Sequence, residues 1–332
     1  MKSLALAIAA LWLSFQSASA QEKLILVTVS PAGGDNSIHY AAWGKKVTAE
    51  SQGTLDIDVR DGIALANFGN VLDRVGNDVT QIGWMLHGLI GGKFPLTETT
   101  SLPFVVDDVT VASVALWRLY KSGLLDAEYT DVVPLYFGYT GINIFHFAKA
   151  PKAPDDLHGL KVRVVGKPQS QTIEIFGGAA LAMPPQDMYD GLHRGVLDAV
   201  LTPWSAFAPF KLHEVTSYHT EVPLGATTSM HFMMKKKYDA LPAAAKKALE
   251  NNGQEAESRR FGAYLENQGA EQRAIGVKRP NNTIVQLQPD RVAMWKDKVT
   301  KVVYAEWTKE HPGADKIIEA YGKLYAEVKA GR

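Results

Sequence analysis

One arginine stands inside an otherwise apolar segment. Residues 160–165 read LKVRVV, and their β-branched side chains are typical of a short buried strand. A buried guanidinium needs an anion, and the planar fork of Arg163 can donate two parallel hydrogen bonds to a carboxylate, which a lysine cannot do. Arg163 therefore indicates a binding site for an anion. The simpler alternative is an internal ion pair with an Asp or Glu across a domain interface.

The chain around this arginine contains the elements that would position it. A turn at 166–168 separates the strand from an amphipathic run at 170–176, which predicts a helix. An apolar segment at 179–183 and a helix-start signal at Pro184 follow. Residues 155–204 therefore predict a β-α-β-α-β unit.

Several short motifs in this unit occur in a fixed order. The combination resembles the solute-binding proteins of tripartite ATP-independent periplasmic (TRAP) transporters. The matching residues are Asp156-Leu157, Gly159-Leu160-Lys161-Val162-Arg163-Val164, Met183-Pro184, Tyr189 and Gly195-Val196-Leu197-Asp198. Further matches lie at Gly91-Gly92-Lys93-Phe94-Pro95, Ser101-Leu102-Pro103-Phe104 and Lys237-Tyr238-Asp239-Ala240-Leu241-Pro242.

This resemblance implies a fold and a function. The implied fold is a two-lobe α/β periplasmic binding protein with a mostly parallel sheet in each lobe, hinge crossovers and a long bridging helix. In the family, the arginine at the position of Arg163 receives the ligand carboxylate. The implied partners are a small organic acid and the subunits of a TRAP-type membrane permease, without a cofactor or a metal.

The residues that align near Arg163 predict the class of acid. Many family members carry a second arginine where this chain has Asn143, and an amide cannot neutralise a second charge. Thr202 occupies the usual asparagine position, and Trp204 follows it closely. The first lobe would add Phe68, Trp84 and His87. One cation among neutral polar and aromatic groups favours a hydrophobic or aromatic monocarboxylate over a diacid or a sugar acid.

Strands and helices alternate elsewhere in the chain, which predicts a mostly parallel sheet with helices on both faces. Residues 132–147 predict two strands separated by a turn at 138–141. We assign 21–150 to lobe 1, to which later segments return, and 151–240 to lobe 2. Residues 241–332 would form a long helix, starting at Pro242, and C-terminal helices that pack across both lobes.

The composition excludes several classes of function. Lysine and arginine number 35, as do aspartate and glutamate, so no charge excess favours nucleic acid or an anionic membrane. The absence of cysteine excludes disulfides, thiol catalysis and cysteine-ligated zinc. The nine histidines lack metal-ligand spacing, and the usual nucleotide-binding and hydrolase motifs do not occur.

The N-terminus has the features of a secretory signal. Lys2 precedes an apolar run at 4–13, and residues 18–20 read ASA. We therefore expect residues 1–20 to be a signal peptide and the mature protein to reside in the periplasm without inserting into a membrane. The apolar run is shorter than the roughly 20 residues that a spanning helix needs.

Two other functions remain open at this point. The chain could present a ligand to a sensor kinase or chemoreceptor, because the fold and pocket would look the same. It could also be a periplasmic enzyme acting on a carboxylated substrate. That enzyme would need a base in the cleft, and His87 or His146 are the candidates.

Overall fold

The computed structural model describes residues 21–32 and 34–332, so the predicted signal peptide lies outside the described residues. The first part of the chain alternates strands and helices. These elements are β1 (Glu22–Val27), α1 (Asp35–Glu50), β2 (Leu55–Arg60), α2 (Val71–Gly76), β3 (Ile82–Leu86), α3 (Pro95–Glu98) and α4 (Val109–Lys121).

One long strand, β4 (Val132–Phe147), leads into the second group of elements. They are β5 (Lys161–Val164), α5 (Lys167–Ile175), β6 (Ala179–Ala182), α6 (Met188–His193), β7 (Ala199–Pro203), α7 (Leu212–Val215) and β8 (Tyr218–Glu221). The chain then returns through β9 (Ala226–Met234). The remaining elements are α8 (Lys235–Ala240), α9 (Ala243–Asn251), α10 (Gln254–Lys278), β10 (Thr283–Gln286), α11 (Pro289–Val299), α12 (Ala305–Glu310) and α13 (Ala314–Lys329).

The strands form two mixed sheets that share β4. The order along the main path is β2-β1-β3-β9-β4-β7-β5-β6, and β8 pairs with both β4 and β10. Parallel pairs join β1 to β2 and β3, and join β5 to β6 and β7, whereas β4 and β9 pair in antiparallel fashion with their neighbours. The predicted two-lobe α/β fold is confirmed.

The prediction of two strands at 132–147 is wrong. The segment is one continuous strand whose register shifts between Tyr139 and Ile142. Gly141 lies within the shift with a φ of 107°, a conformation that side chains rarely tolerate. The glycines therefore produce a bulge rather than a turn. Because β4 stays continuous, its first part belongs to one sheet and its second part to the other.

Each lobe has its own hydrophobic core. The first core surrounds β1, β3 and β9 and includes Trp84, Phe232 and Phe261. In the second lobe, Phe145 and Trp295 mark a core on one side of the sheet, and Trp204 belongs to another cluster. The division of the chain at residues 150 and 240 stays a prediction. None of the described helices is both long enough and apolar enough to cross a membrane.

Helix α10 connects the two lobes. Phe261 of α10 packs on β4 at Gly138, and Gly276 near its C-terminal end lies against the indole of Trp204. The predicted helix from Pro242 is divided at Gly253 into α9 and α10. A Cβ at Gly253 would lie 2.6 Å from the carbonyl oxygen of Leu135, so the backbone here passes too close to β4 for any side chain.

We predict that Gly138→Ala destabilises the protein by a few kcal/mol, because the added Cβ would lie 2.4 Å from Cδ1 of Phe261. The matched control is Gly322→Ala in α13, where no atom lies within 4 Å of the added Cβ. Alanine there should leave the stability unchanged or raise it by up to about 1 kcal/mol. Urea unfolding of both variants measures the difference, and equal stabilities would contradict this packing of α10 on β4.

Candidate ligand-binding site

Arg163 lies on β5 in the wall of a cavity between the lobes. Arg163 is only 1% exposed to solvent. The Nε donates to the carbonyl oxygen of Met183 at 2.8 Å, and Nη1 makes a long contact of 3.5 Å with the carbonyl oxygen of Leu201. Nη2 has no hydrogen-bond partner among the described residues. Nor do the ion pairs found in residues 21–32 and 34–332 include Arg163, so the internal ion pair is not observed.

Burial affects the charge of this side chain. Desolvation lowers the pKa of the Arg163 guanidinium to about 9, and the nearby charge of Asp187 offsets this only in part. The side chain therefore remains a cation at neutral pH, although its burial is unfavourable. A bound carboxylate would offset the unfavourable free energy of this burial, because it would supply a counter-charge.

The cavity brings together five of the predicted site residues from both lobes. These are Phe68, Trp84, Asn143, Arg163 and Thr202. The rings of Phe68 and Trp84 meet edge to face with their centroids 5.4 Å apart, a favourable aromatic geometry. Strand β3 places Trp84 on the first-lobe side, while β5 and β7 place Arg163 and Thr202 on the second-lobe side.

A chain of polar side chains lies beside Arg163, and sequence reasoning found only one of its members. Gln169 accepts a hydrogen bond from the backbone N–H of Val165 at 2.8 Å, which leaves its Nε2 to donate to Oγ1 of Thr227 at 3.3 Å. Asn143 Nδ2 approaches the same hydroxyl at 3.4 Å. Since Thr227 accepts from two amides, its own proton is free for another acceptor. Thr227 borders the cavity.

Some sequence signal exists for Gln169, because it lies in the first turn of the helix that follows the strand of Arg163. Thr227 had none. It stands in the run ATTSM, and only the return of β9 to the middle of the sheet brings it beside Asn143.

Trp204 is not in the wall of this cavity. Its Nε1 donates to Glu221 Oε1 at 2.9 Å, and its ring packs against both His146 and His219. The side chain instead borders a neighbouring cavity beneath α10, which shares Pro203, Ser205 and Leu265 with the first. Trp204 packs away from the first cavity because β7 ends at Pro203 and the chain turns there toward α10.

His87 lies in the core of lobe 1. Its Nε2 is 3.2 Å from the hydroxyl of Tyr129, and its ring meets Phe94 edge to face. Burial lowers the pKa of His87 to about 4, so the ring is neutral at physiological pH. The residue follows β3 directly, and it does not border the cavity.

His146 is paired with another histidine. Its Nδ1 lies 2.8 Å from Nδ1 of His219, and both rings are buried. Neither histidine borders the cavity of Arg163. Within the described ranges, no cluster of three or more His, Asp or Glu side chains could hold a metal ion.

Two lobes that meet at a cavity with one unpaired cation have the architecture of a protein that captures a small anion. Residues 29–310 match the DctP model, described as bacterial extracellular solute-binding protein, family 7. The match covers most of the chain, which belongs to this family, the solute-binding proteins of TRAP transporters.

Several known proteins are similar to this chain in sequence or in structure. The TsaT protein of Comamonas testosteroni, described as an outer membrane transporter protein, is 28% identical over 257 residues, which is 75% of each chain. A TRAP solute-binding protein from a marine metagenome, described as specific for aromatic acids, superposes with a TM-score of 0.87 at 25% identity, over 92% of this chain and 99% of that one. A Rhodoferax ferrireducens TRAP solute-binding protein with copurified benzoate gives a TM-score of 0.87 at 24% identity, over 94% and 100%.

We predict that Arg163→Met raises the free energy of unfolding of the ligand-free protein, on the order of 1–4 kcal/mol, because it removes an unpaired buried charge and keeps an unbranched side chain. Arg163→Lys is the control, since it keeps the charge and should bring no such gain. The measurement is urea unfolding at neutral pH, after refolding has removed any bound acid. A methionine variant that is less stable than the native protein would mean that Arg163 has a stabilising internal partner.

Proposed function

We propose that this chain is a periplasmic receptor that binds a hydrophobic or aromatic monocarboxylate and delivers it to a TRAP-type membrane permease. The ligand carboxylate pairs with Arg163, and closure of the two lobes encloses the rest of the molecule. Residues 1–20 direct export and are removed before the protein acts.

The observation that carries this proposal is the state of Arg163. It is buried, its Nη2 has no hydrogen-bond partner in residues 21–32 and 34–332, and it borders the cavity. It is also the only charged side chain among the described residues that line this cavity. A single fixed cation suits a ligand with one negative charge, since the second carboxylate of a diacid would be buried without a counter-charge.

The remaining walls favour an apolar body attached to that carboxylate. Phe68, Trp84 and Phe210 contribute aromatic surface, and Leu86 and Leu265 contribute aliphatic surface. Thr227, Thr202 and Asn143 add neutral hydrogen-bonding groups near Arg163. The similarity to the metagenome protein that holds metahydroxyphenylacetate supports an aromatic acid as the ligand class.

The two lobes would close around the ligand because each lobe contributes part of the cavity wall. Arg163 and Thr202 belong to strands of the second lobe, whereas Trp84 and Leu86 belong to β3 of the first. A ligand touches both sets only when the lobes are together, so it stabilises the closed form by its differential contacts. The permease would then recognise this closed, loaded form.

We predict that benzoate, phenylacetate and 3-hydroxyphenylacetate raise the melting temperature, whereas succinate, glucuronate and glucose do not. A ligand at about 100 times its Kd adds about 2.7 kcal/mol to the stability of the folded state. Arg163→Met should weaken binding roughly 30-fold to several-thousand-fold, because it removes the partner of a buried carboxylate.

The control is Arg259→Met on α10, whose half-exposed side chain lies outside the cavity. It should bind like the native protein. If succinate or glucuronate bound more tightly than the aromatic acids, the proposed ligand class would be wrong. If Arg163→Met bound the acids unchanged, the proposed role of Arg163 would be wrong.

A further inference from the structure

Two strands, one from each lobe, carry residues that border the cavity, and their C-terminal ends lie next to each other. On β3, Trp84 and Leu86 border the cavity; along β5 and directly after it, Arg163 and Val165 do so. Glycines follow each strand, Gly88 in the first lobe and Gly166 in the second. Neither glycine is among the residues that line the cavity.

The backbones of the two lobes touch at these glycines. A Cβ built on Gly88 would lie 3.1 Å from Cγ1 of Val165 and 3.3 Å from Cα of Gly166. A Cβ built on Gly166 would lie 3.3 Å from Cα of Gly88 and 3.5 Å from Oε2 of Glu98. The separations of 3.1 and 3.3 Å between the lobes are shorter than ordinary van der Waals contact, so the backbones approach this closely only because side chains are absent here.

We propose that Gly88 and Gly166 form a closing contact that sets how far the lobes can approach, and that the lack of a side chain at residue 88 is needed for tight ligand binding. This inference rests on the proposed function. A side chain at residue 88 would separate β3 from β5 and so pull Trp84 and Leu86 away from a ligand held by Arg163. Residue 88 would thus control affinity without contacting the ligand.

Gly88 is the better position for a test. Gly166 has a φ of 77°, so any substitution there would also strain the backbone, whereas Gly88 is not among the positive-φ glycines and can accept a side chain locally. A side chain at residue 88 would instead collide with Val165 and Gly166 of the other lobe. Opening of the cleft relieves this collision, and the apparent affinity then falls with the population of the closed form.

The experiment is a calorimetric titration of the native protein, Gly88→Ala and Gly88→Val with 3-hydroxyphenylacetate and benzoate. We expect binding to weaken in that order, by roughly 5-fold to 150-fold, which is the range that overpacking of a close contact produces. The melting temperature of the ligand-free protein should stay within a few degrees, because the open form is not crowded. Gly76→Ala and Gly76→Val are the controls, since no atom lies within 4 Å of an added Cβ at this first-lobe glycine.

Native-like binding by Gly88→Val would overturn the inference. So would a loss of ligand-free stability as large as the loss of binding, because residue 88 would then matter for folding rather than for closure. If the native protein bound neither acid, the proposed function would fail instead.

Discussion

The burial of an unpaired guanidinium is the constraint on which the rest of the site depends. A charge taken out of water without a counter-ion costs free energy, and a folded chain usually avoids this cost by pairing the charge or exposing it. The Nε of Arg163 donates to the carbonyl oxygen of Met183, and its Nη2 has no hydrogen-bond partner in the part of the chain that the structure describes. On the proposed function, a ligand carboxylate would pair with this charge, and part of the cost of its burial would be recovered as affinity.

The fold places this charge where the two lobes meet. Because β4 belongs to both sheets and α10 packs on both lobes, the lobes are joined by continuous secondary structure rather than by loose linkers. The cavity wall comes from elements of both lobes. On the proposed function, a ligand would make contacts with both lobes at once, so binding and closure would be one equilibrium, and a residue remote from the ligand could change the affinity by acting on closure.

Much of this could be predicted from the sequence, for identifiable reasons. Arg163 stood out because a charged side chain inside an apolar strand needs an explanation, and the ordered motifs around it indicated the family. Phe68, Trp84, Asn143 and Thr202 lie on or beside regular elements, and the structure places them around the cavity. What local patterns miss is contact between distant segments. Thr227 reaches the site only through the pairing of β9 with β4.

Sequence patterns also say little about where side chains near the ends of strands pack. His87 and Trp204 each follow a strand that carries a cavity residue, yet one packs into the core and the other beneath α10. The glycines at 138 and 141 could not be interpreted from the sequence for a similar reason. Gly138 leaves room for Phe261 of α10, and Gly141 lies in a β-bulge, so neither forms a turn. Such outcomes depend on what packs against the backbone, and that partner lies far away in the sequence.

The most direct test of the central claim is a crystal structure of the protein grown with 3-hydroxyphenylacetate. The carboxylate should accept hydrogen bonds from Nη2 of Arg163 at about 2.7–2.9 Å, with the ligand ring packed against Phe68 and Trp84. A carboxylate bound elsewhere in the cleft, or an Arg163 paired with an Asp or Glu of the protein itself, would contradict the assignment of Arg163 as the ligand's counter-ion.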